Sequence, residues 1–510
     1  MKPAGPRPAE WLGYPKGALL IIGVEFWERF SFYGMLSILV LFLTDSPTHG
    51  GFGWPAAEAL VLLGAYSGAM YAFPAFGGYF ADRVLGRRRA VTLGATCMLI
   101  GQIMLASPAF LPAFLGWWHA APLLQTLHDL GVPLGRVLPS DAVNAAIVRH
   151  GAALDAHSGA AWLKQAYTAA TLGFCFAIFC LVLGNALMKS TLVVLCGETM
   201  STDDPRREGA YAYYYLGISV GAMLSGVTVG ITAQTFGWHY GFAITAAGMS
   251  VALGAYLLLA PRWLGAIGLR PDGPASVREP MGEHAPAAGS TGAETRRRIG
   301  LLFVLATLLC AFSVGWFQLY GSWLLFIERD VNRAIGSFVI PVPWFTSINA
   351  AVVIVLAPFV AAFWVRLGTR NQRVDIVQKY TFALAMVTIG HLLMYLTARD
   401  AAPNAPASVW IPLASLSLLG IGEIVAWTAT YGMVSRAAPV GFASVAMGAW
   451  YLMTLGLGGY LSGFTGGLLE SKGFAGAFGT VAAIMGAACV IALLLRGPLL
   501  RLAARAGVSL

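Results

Sequence analysis

The sequence predicts an all-α membrane protein, with twelve spanning helices in two sets of six joined by a polar linker. Composition is the first sign: 58% of the 510 residues are hydrophobic and 11% charged, less than half the roughly 25% charge of an ordinary soluble domain. Apolar runs of about 20 residues, the length a bilayer core demands, recur along the whole chain. The third sign is the placement of Lys and Arg. They give a net charge of +9, but they stand in short clusters between apolar runs, which is how membrane topology is set. Nucleic acid is therefore excluded as a partner, and a lipid bilayer is the expected surroundings.

The first six runs fall near residues 19–43, 58–80, 90–114, 168–197, 210–232 and 241–261. Six more begin near 299, 344, 376, 409, 441 and 474. These boundaries give an N-terminal bundle (1–261), a linker rich in Pro, Gly, Ala and Glu (262–298) and a C-terminal bundle (299–510). Basic loops alternate with nearly neutral ones, so both termini and the linker are expected in the cytoplasm. The N-terminus lacks a short apolar region followed by a small-residue cleavage site, so the first span is expected to stay in the mature protein. Between the third and fourth spans lies a non-cytoplasmic insert (116–165). Leu123, Leu124, Leu127 and Leu130 recur there at helical spacing, which predicts short amphipathic helices at the membrane surface. Its histidines, His119, His128, His150 and His157, read as scattered interfacial residues, with metal binding or pH sensing as the alternative. The six cysteines lie in apolar stretches without CxxC spacing, and neither a disulfide framework nor a zinc site is indicated.

Charges inside the spans are the functional signal. "EFWERFSFYG" (Glu25–Gly34) sets Glu25, Glu28 and Arg29 on one face of the first helix. An ionised side chain at the bilayer centre costs about 2.5–3.5 kcal/mol on insertion scales, so such groups pair or line a water-filled path. Glu25 and Arg29 are an i,i+4 pair, and Glu28 is expected to lack a partner on its own turn. Lys189 in "GNALMKSTLVV" is a partner from the fourth span, and Glu423 stands likewise in the tenth span, in "LLGIGEIVAWTATYG". Interhelical ion pairs that merely hold the bundle together are one reading. Charges from both halves at the midplane are also what a secondary transporter requires, and a zwitterionic peptide needs a cation at one end and an anion at the other. His391 in the ninth span reads as a core residue. No HExxH, no GxSxG in a strand-to-helix context and no metal-spaced cluster is present, so an enzyme is not expected. The remaining alternative is a transporter-derived receptor.

"GGYFADRVLGRRR" (Gly77–Arg89) resembles the loop between the second and third helices of the major facilitator superfamily. "EFWERFSFYGM" resembles the ExxERFxYYG motif of the proton-dependent oligopeptide transporter (POT) family, and "YYYLGISVGAMLSG" (Tyr213–Gly226) with "GWHYGF" its fifth-helix signature. The resemblance implies the major facilitator fold and a symporter that imports di- and tripeptides or related compounds by alternating access. It needs no cofactor beyond the proton as coupling ion, and it would sit in a bacterial inner membrane and work as a monomer. By the resemblance, Glu25, Glu28, Arg29 and Lys189 relay the proton. Tyr33, Tyr71, Lys189, Ser219, Phe317, Gln318, Asn349, Glu423 and Trp427 occupy substrate-binding positions, and Gly77, Gly78, Asp82, Arg83, Gly86 and Arg87 form the gating loop.

The departures from the family pattern are specific. An arginine usual in the first helix is Leu36 here, and a seventh-helix glutamate is Phe317. In the family these two form an ion pair, and losing one alone would strand a buried charge. Joint replacement by apolar residues avoids that penalty and implies a more apolar pocket, suited to a bulky or modified peptide or to a non-peptide organic compound. Leu36→Arg combined with Phe317→Glu is expected to broaden uptake of plain dipeptides, measured by competition against a dipeptide library. A double variant that gains nothing, beside a native protein that already takes many dipeptides, contradicts it.

Overall fold

A computed structural model describes residues 10–46, 50–110, 159–201, 204, 206–271, 292–369, 374–401, 405–438 and 443–508. Most of the insert (111–158), its four histidines, and linker residues 272–291 lie outside the described residues. The described helices are α1 (Lys16–Thr44), α2 (Ala56–Ala72), α3 (Pro74–Phe80), α4 (Arg87–Phe110), α5 (Gly159–Glu198), α6 (Arg207–Phe236), α7 (Trp238–Trp263), α8 (Gly292–Phe317), α9 (Ser322–Asp330), α10 (Trp344–Thr369), α11 (Ile376–Asp400), α12 (Trp410–Ala437), α13 (Ala443–Tyr451), α14 (Leu457–Ser462) and α15 (Thr465–Arg505). Among the described residues ten helical stretches are long and apolar enough to cross a membrane, and Trp344–Val360 is a shorter apolar one. The only β-structure among the described residues is three two-stranded pairings of two-residue strands.

The chain divides into two compact units. One contains residues up to 59 and 76–275, and the other contains 60–75 and 276–510. In the first unit α1 packs against α6 and α7, and α4 against α5 and α7. Glycines set these approaches. A Cβ on Gly221 of α6 would stand 2.7 Å from the Phe26 carbonyl oxygen of α1, and one on Gly94 of α4 would stand 2.8 Å from the Gly184 carbonyl oxygen of α5. Backbones this close leave no room for a methyl group. In the second unit α11 packs against α12 and α15, and α10 against α12. Residues 60–75 of α2 and α3 also belong there: a Cβ on Gly64 would lie 2.7 Å from the Gly463 backbone.

Four boundaries differ from the sequence expectation. Helix α5 begins at Gly159, inside the expected insert, and α8 begins at Gly292, so Arg296–Arg298 are helical instead of linker. Arg298 is buried there, pairing with Glu294 at 2.9 Å and donating to the Ala506 carbonyl at 3.1 Å, so its charge is met at the C-terminal end of α15. The eleventh span is segmented: α13, a π-turn at Leu452–Gly456, then α14. The seventh span is interrupted after Phe317 by one 3₁₀ turn, Gln318–Tyr320.

That interruption explains Gln318. Its amide donates to the carbonyls of Val314 (3.1 Å) and Ser462 (3.2 Å), and its oxygen accepts from Ser322 (2.7 Å) and Thr465 (3.1 Å). Both donor hydrogens and both lone pairs are engaged. Gln318, expected at a substrate-binding position, forms a buried clasp that satisfies the polar groups freed by the broken helix. Gln318→Leu should strip these partners and cost about 1–3 kcal/mol, read as a lowered melting temperature in detergent; an unchanged melting temperature argues against the clasp.

Candidate functional site

Each unit holds its own cluster of buried polar groups. In the first, the cluster is organised by one guanidinium. Glu25, Glu28 and Arg29 on α1 are 3%, 0% and 2% exposed. Arg29 Nε pairs with Glu25 Oε1 at 3.2 Å, as the i,i+4 spacing requires, and Nη2 donates to Glu28 Oε1 at 2.8 Å, with Nε facing the other Glu28 oxygen. The expectation that Glu28 lacks an in-helix partner is therefore corrected. Neighbouring side chains on a helix diverge by about 100°, but the long arginine stem folds back and sets the guanidinium between both carboxylates. Its planar fork makes the bidentate contact a lysine cannot. The guanidinium also stacks 5.0 Å over the Phe32 ring, and Phe32 carries Tyr33 edge-on at 4.9 Å.

Two further helices complete this cluster. Asn185 of α5 accepts from Arg29 Nη2 at 3.2 Å. Lys189, one turn on, feels the charges of Arg29, Glu28 and Glu25. From α6, Tyr214 faces Glu25, whose Oε2 makes no hydrogen bond. Gly221, on the same stripe as Tyr214, allows α6 to come this near α1. Neither Asn185 nor Tyr214 was singled out by sequence reasoning. Asn185 lies four residues before Lys189, and that spacing was a usable signal. Ser219 is half-buried and bonds its own helix at the Tyr215 carbonyl (3.4 Å), apart from the charged groups.

The residues expected to form a gating loop are a second set in the first unit. Gly86 has φ 79°, a left-handed conformation that favours glycine. A Cβ on Gly77 would collide with the Ala186 carbonyl of α5, and one on Gly78 would stand 2.8 Å from Ser190 Oγ, the residue after Lys189. Arg87 pairs with Asp82 (2.9 Å) and with Glu198 (2.7 Å) at the end of α5, whereas Arg83 is exposed. Glu198 went unnoticed in the sequence because it reads as one more loop acid.

In the second unit the focus is Glu423 on α12. Its Oε2 accepts from Trp316 Nε1 (2.8 Å, α8) and Asn349 Nδ2 (3.1 Å, α10). The residue is half-buried, and among the described residues no Lys, Arg or His lies within ion-pair distance of it. Tyr320 stands near enough to feel its charge. Tyr71 packs edge-on against Phe317 at 6.0 Å, and Trp427, one turn after Glu423, packs edge-on against Phe312 at 6.2 Å. Phe317 is itself 2% exposed. His391, expected in the core, is fully buried, bonded to the Val387 carbonyl and packed on Trp323.

A profile of the POT family matches residues 88–264 and 281–491, more than half of the chain. The chain belongs to the POT family. Among similar proteins, the uncharacterized transporter YclF of Bacillus subtilis (strain 168) is 22% identical over 484 residues, covering 87% of this chain and 86% of its own. The peptide transporter YePEPT of Yersinia enterocolitica is 25% identical over 513 residues, covering 90% and 88%. A crystal structure of a peptide transporter POT in complex with sulfate superposes with a TM-score of 0.77 at 22% identity over 97% of each chain, which gives this chain the same fold, that of the major facilitators. As a POT family member it is an integral membrane protein.

Arg29→Ala should leave two buried carboxylates facing Lys189 alone and cost about 3–5 kcal/mol. Adding Glu25→Gln and Glu28→Gln should recover most of the lost melting temperature. A single variant that unfolds at the native temperature would show that the guanidinium contributes nothing to stability.

Proposed function

We propose that this protein is a proton-coupled symporter that imports peptides or peptide-like zwitterions by alternating access, in the inner membrane of a bacterium, as a monomer with both termini cytoplasmic. The observation that carries the reading is the charge balance around Arg29. Glu25 and Glu28 against Arg29 and Lys189 sum to zero when all four are ionised. A substrate carboxylate drawn to Lys189 leaves that group of charges one negative, and a proton on Glu25 or Glu28 restores neutrality. The proton also weakens the hold of the carboxylates on Lys189, which is then available to the substrate. Loaded and neutral, the site crosses a closed, dry state more easily than an open charge does. In the other unit, taken by itself, Glu423 is held by two neutral donors and is an anion that an ammonium group can meet. The peptide-transporting relatives support the same substrate class.

One charge moving through about 100 mV is worth roughly 2.3 kcal/mol. At about 1.4 kcal/mol per decade this supports roughly fifty-fold accumulation per proton, ample for uptake of a nutrient. In proteoliposomes Glu25→Gln is expected to abolish concentrative, proton-driven uptake while sparing exchange of substrate for substrate. Accumulation unchanged in that variant removes Glu25 from the relay.

A further inference from the structure

The two carboxylates of the first unit differ in what holds them, and on the reading of Glu25 as a proton carrier that difference assigns a task to Tyr214. Both oxygens of Glu28 are bonded to Arg29, one to Nη2 at 2.8 Å and the other to Nε. Glu25 has Oε1 paired with Arg29 Nε at 3.2 Å, and its Oε2 is buried without a hydrogen bond. A proton added to Oε2 disturbs no existing bond, whereas one on Glu28 breaks half of a bidentate pair. A buried acceptor left unmade is costly, so Oε2 calls for a donor.

The groups that Glu25 feels come from three helices: Arg29 and Glu28 on α1, Lys189 and Cys196 on α5, and Tyr214 on α6. Of these Tyr214 alone brings a hydroxyl, and it stands within hydrogen-bond reach of the carboxylate. Helix packing places it there. Ala210, one turn before Tyr214, and Ala18 of α1 are fully buried in one apolar cluster. Beyond Tyr214, a Cβ on Gly221 would stand 2.7 Å from the Phe26 carbonyl oxygen and 3.5 Å from Arg29 Cβ. Tyr214 is held against α1 between these two contacts and is itself buried.

We propose that Tyr214 is a positioning residue of the proton relay, whose hydroxyl serves Glu25 in both of its forms. A phenol donates to an ionised carboxylate and accepts from a protonated one. The charge-assisted bond to the carboxylate is the stronger by about twofold, so Tyr214 favours the ionised form and eases the proton off Glu25. The phenol keeps its own proton throughout, and only the direction of the hydrogen bond changes.

Tyr214→Phe removes the hydroxyl and keeps the ring that packs. In proteoliposomes with the external pH fixed and the internal pH varied, the internal pH giving half-maximal concentrative uptake should rise by about one unit, a tenfold tighter hold on the proton. A midpoint that stays or falls overturns the role of Tyr214. If Glu25→Gln abolishes accumulation while that midpoint stays, only the role of Tyr214 is lost; if Glu25→Gln leaves accumulation unchanged, the reading of Glu25 falls and the role of Tyr214 with it. Infrared titration of the native protein needs no Tyr214 variant. The carboxyl band that is lost in Glu25→Gln should grow on acidification together with a shift of a tyrosine C–O band, and a carboxyl band without that shift contradicts the hydrogen bond.

Discussion

A guanidinium held between two carboxylates on one turn of a membrane helix is the interaction on which the first unit depends. Hydrocarbon offers no water to solvate Glu25 or Glu28, so each must find its compensation in protein. Arg29 meets both, and in doing so fixes the rotamers of all three side chains on α1. The neighbouring helices are arranged to serve this knot. Gly221 lets α6 come close enough for Tyr214 to face Glu25, and the close approach of α4 and α5 positions Asn185 and Lys189. Packing and electrostatics are thus one design, because a methyl group at such a glycine would separate the charges it brings together.

The second unit solves the opposite problem. Its carboxylate is held by an indole and an amide, both neutral, and no basic side chain among the described residues balances it. A charge arranged in this way gains most from a cation that arrives and leaves. The aromatic residues beside Glu423 lower the local polarity and so strengthen whatever charge pairing takes place there.

Broken helices are tolerated only where side chains replace the lost backbone bonds. Gln318 does this for the seventh span by linking Val314, Ser462, Ser322 and Thr465, and it does so directly beside Phe317 and Tyr320. The positions of Phe317 and Tyr320 therefore depend on this polar clasp. Arg298 plays a comparable part at the end of α15, where a buried charge satisfies terminal carbonyls.

Hydropathy and intramembrane charges were enough to read the helical class and to mark Glu25, Arg29, Lys189 and Glu423 as charges inside apolar helices, because a membrane span leaves an unmistakable compositional trace. The Glu25–Arg29 pair was equally legible, since an i,i+4 contact follows from helix geometry alone. What the sequence left open was set by side-chain reach and by neighbours remote in the chain. Glu28 found its partner in the adjacent Arg29 because a long side chain can fold back against its helix. Gln318 became a clasp only when Ser462 and Thr465, more than a hundred residues away, were brought to it. Local spacing determines which groups share a helix face. Only the packing of helices against one another decides which donor meets which acceptor.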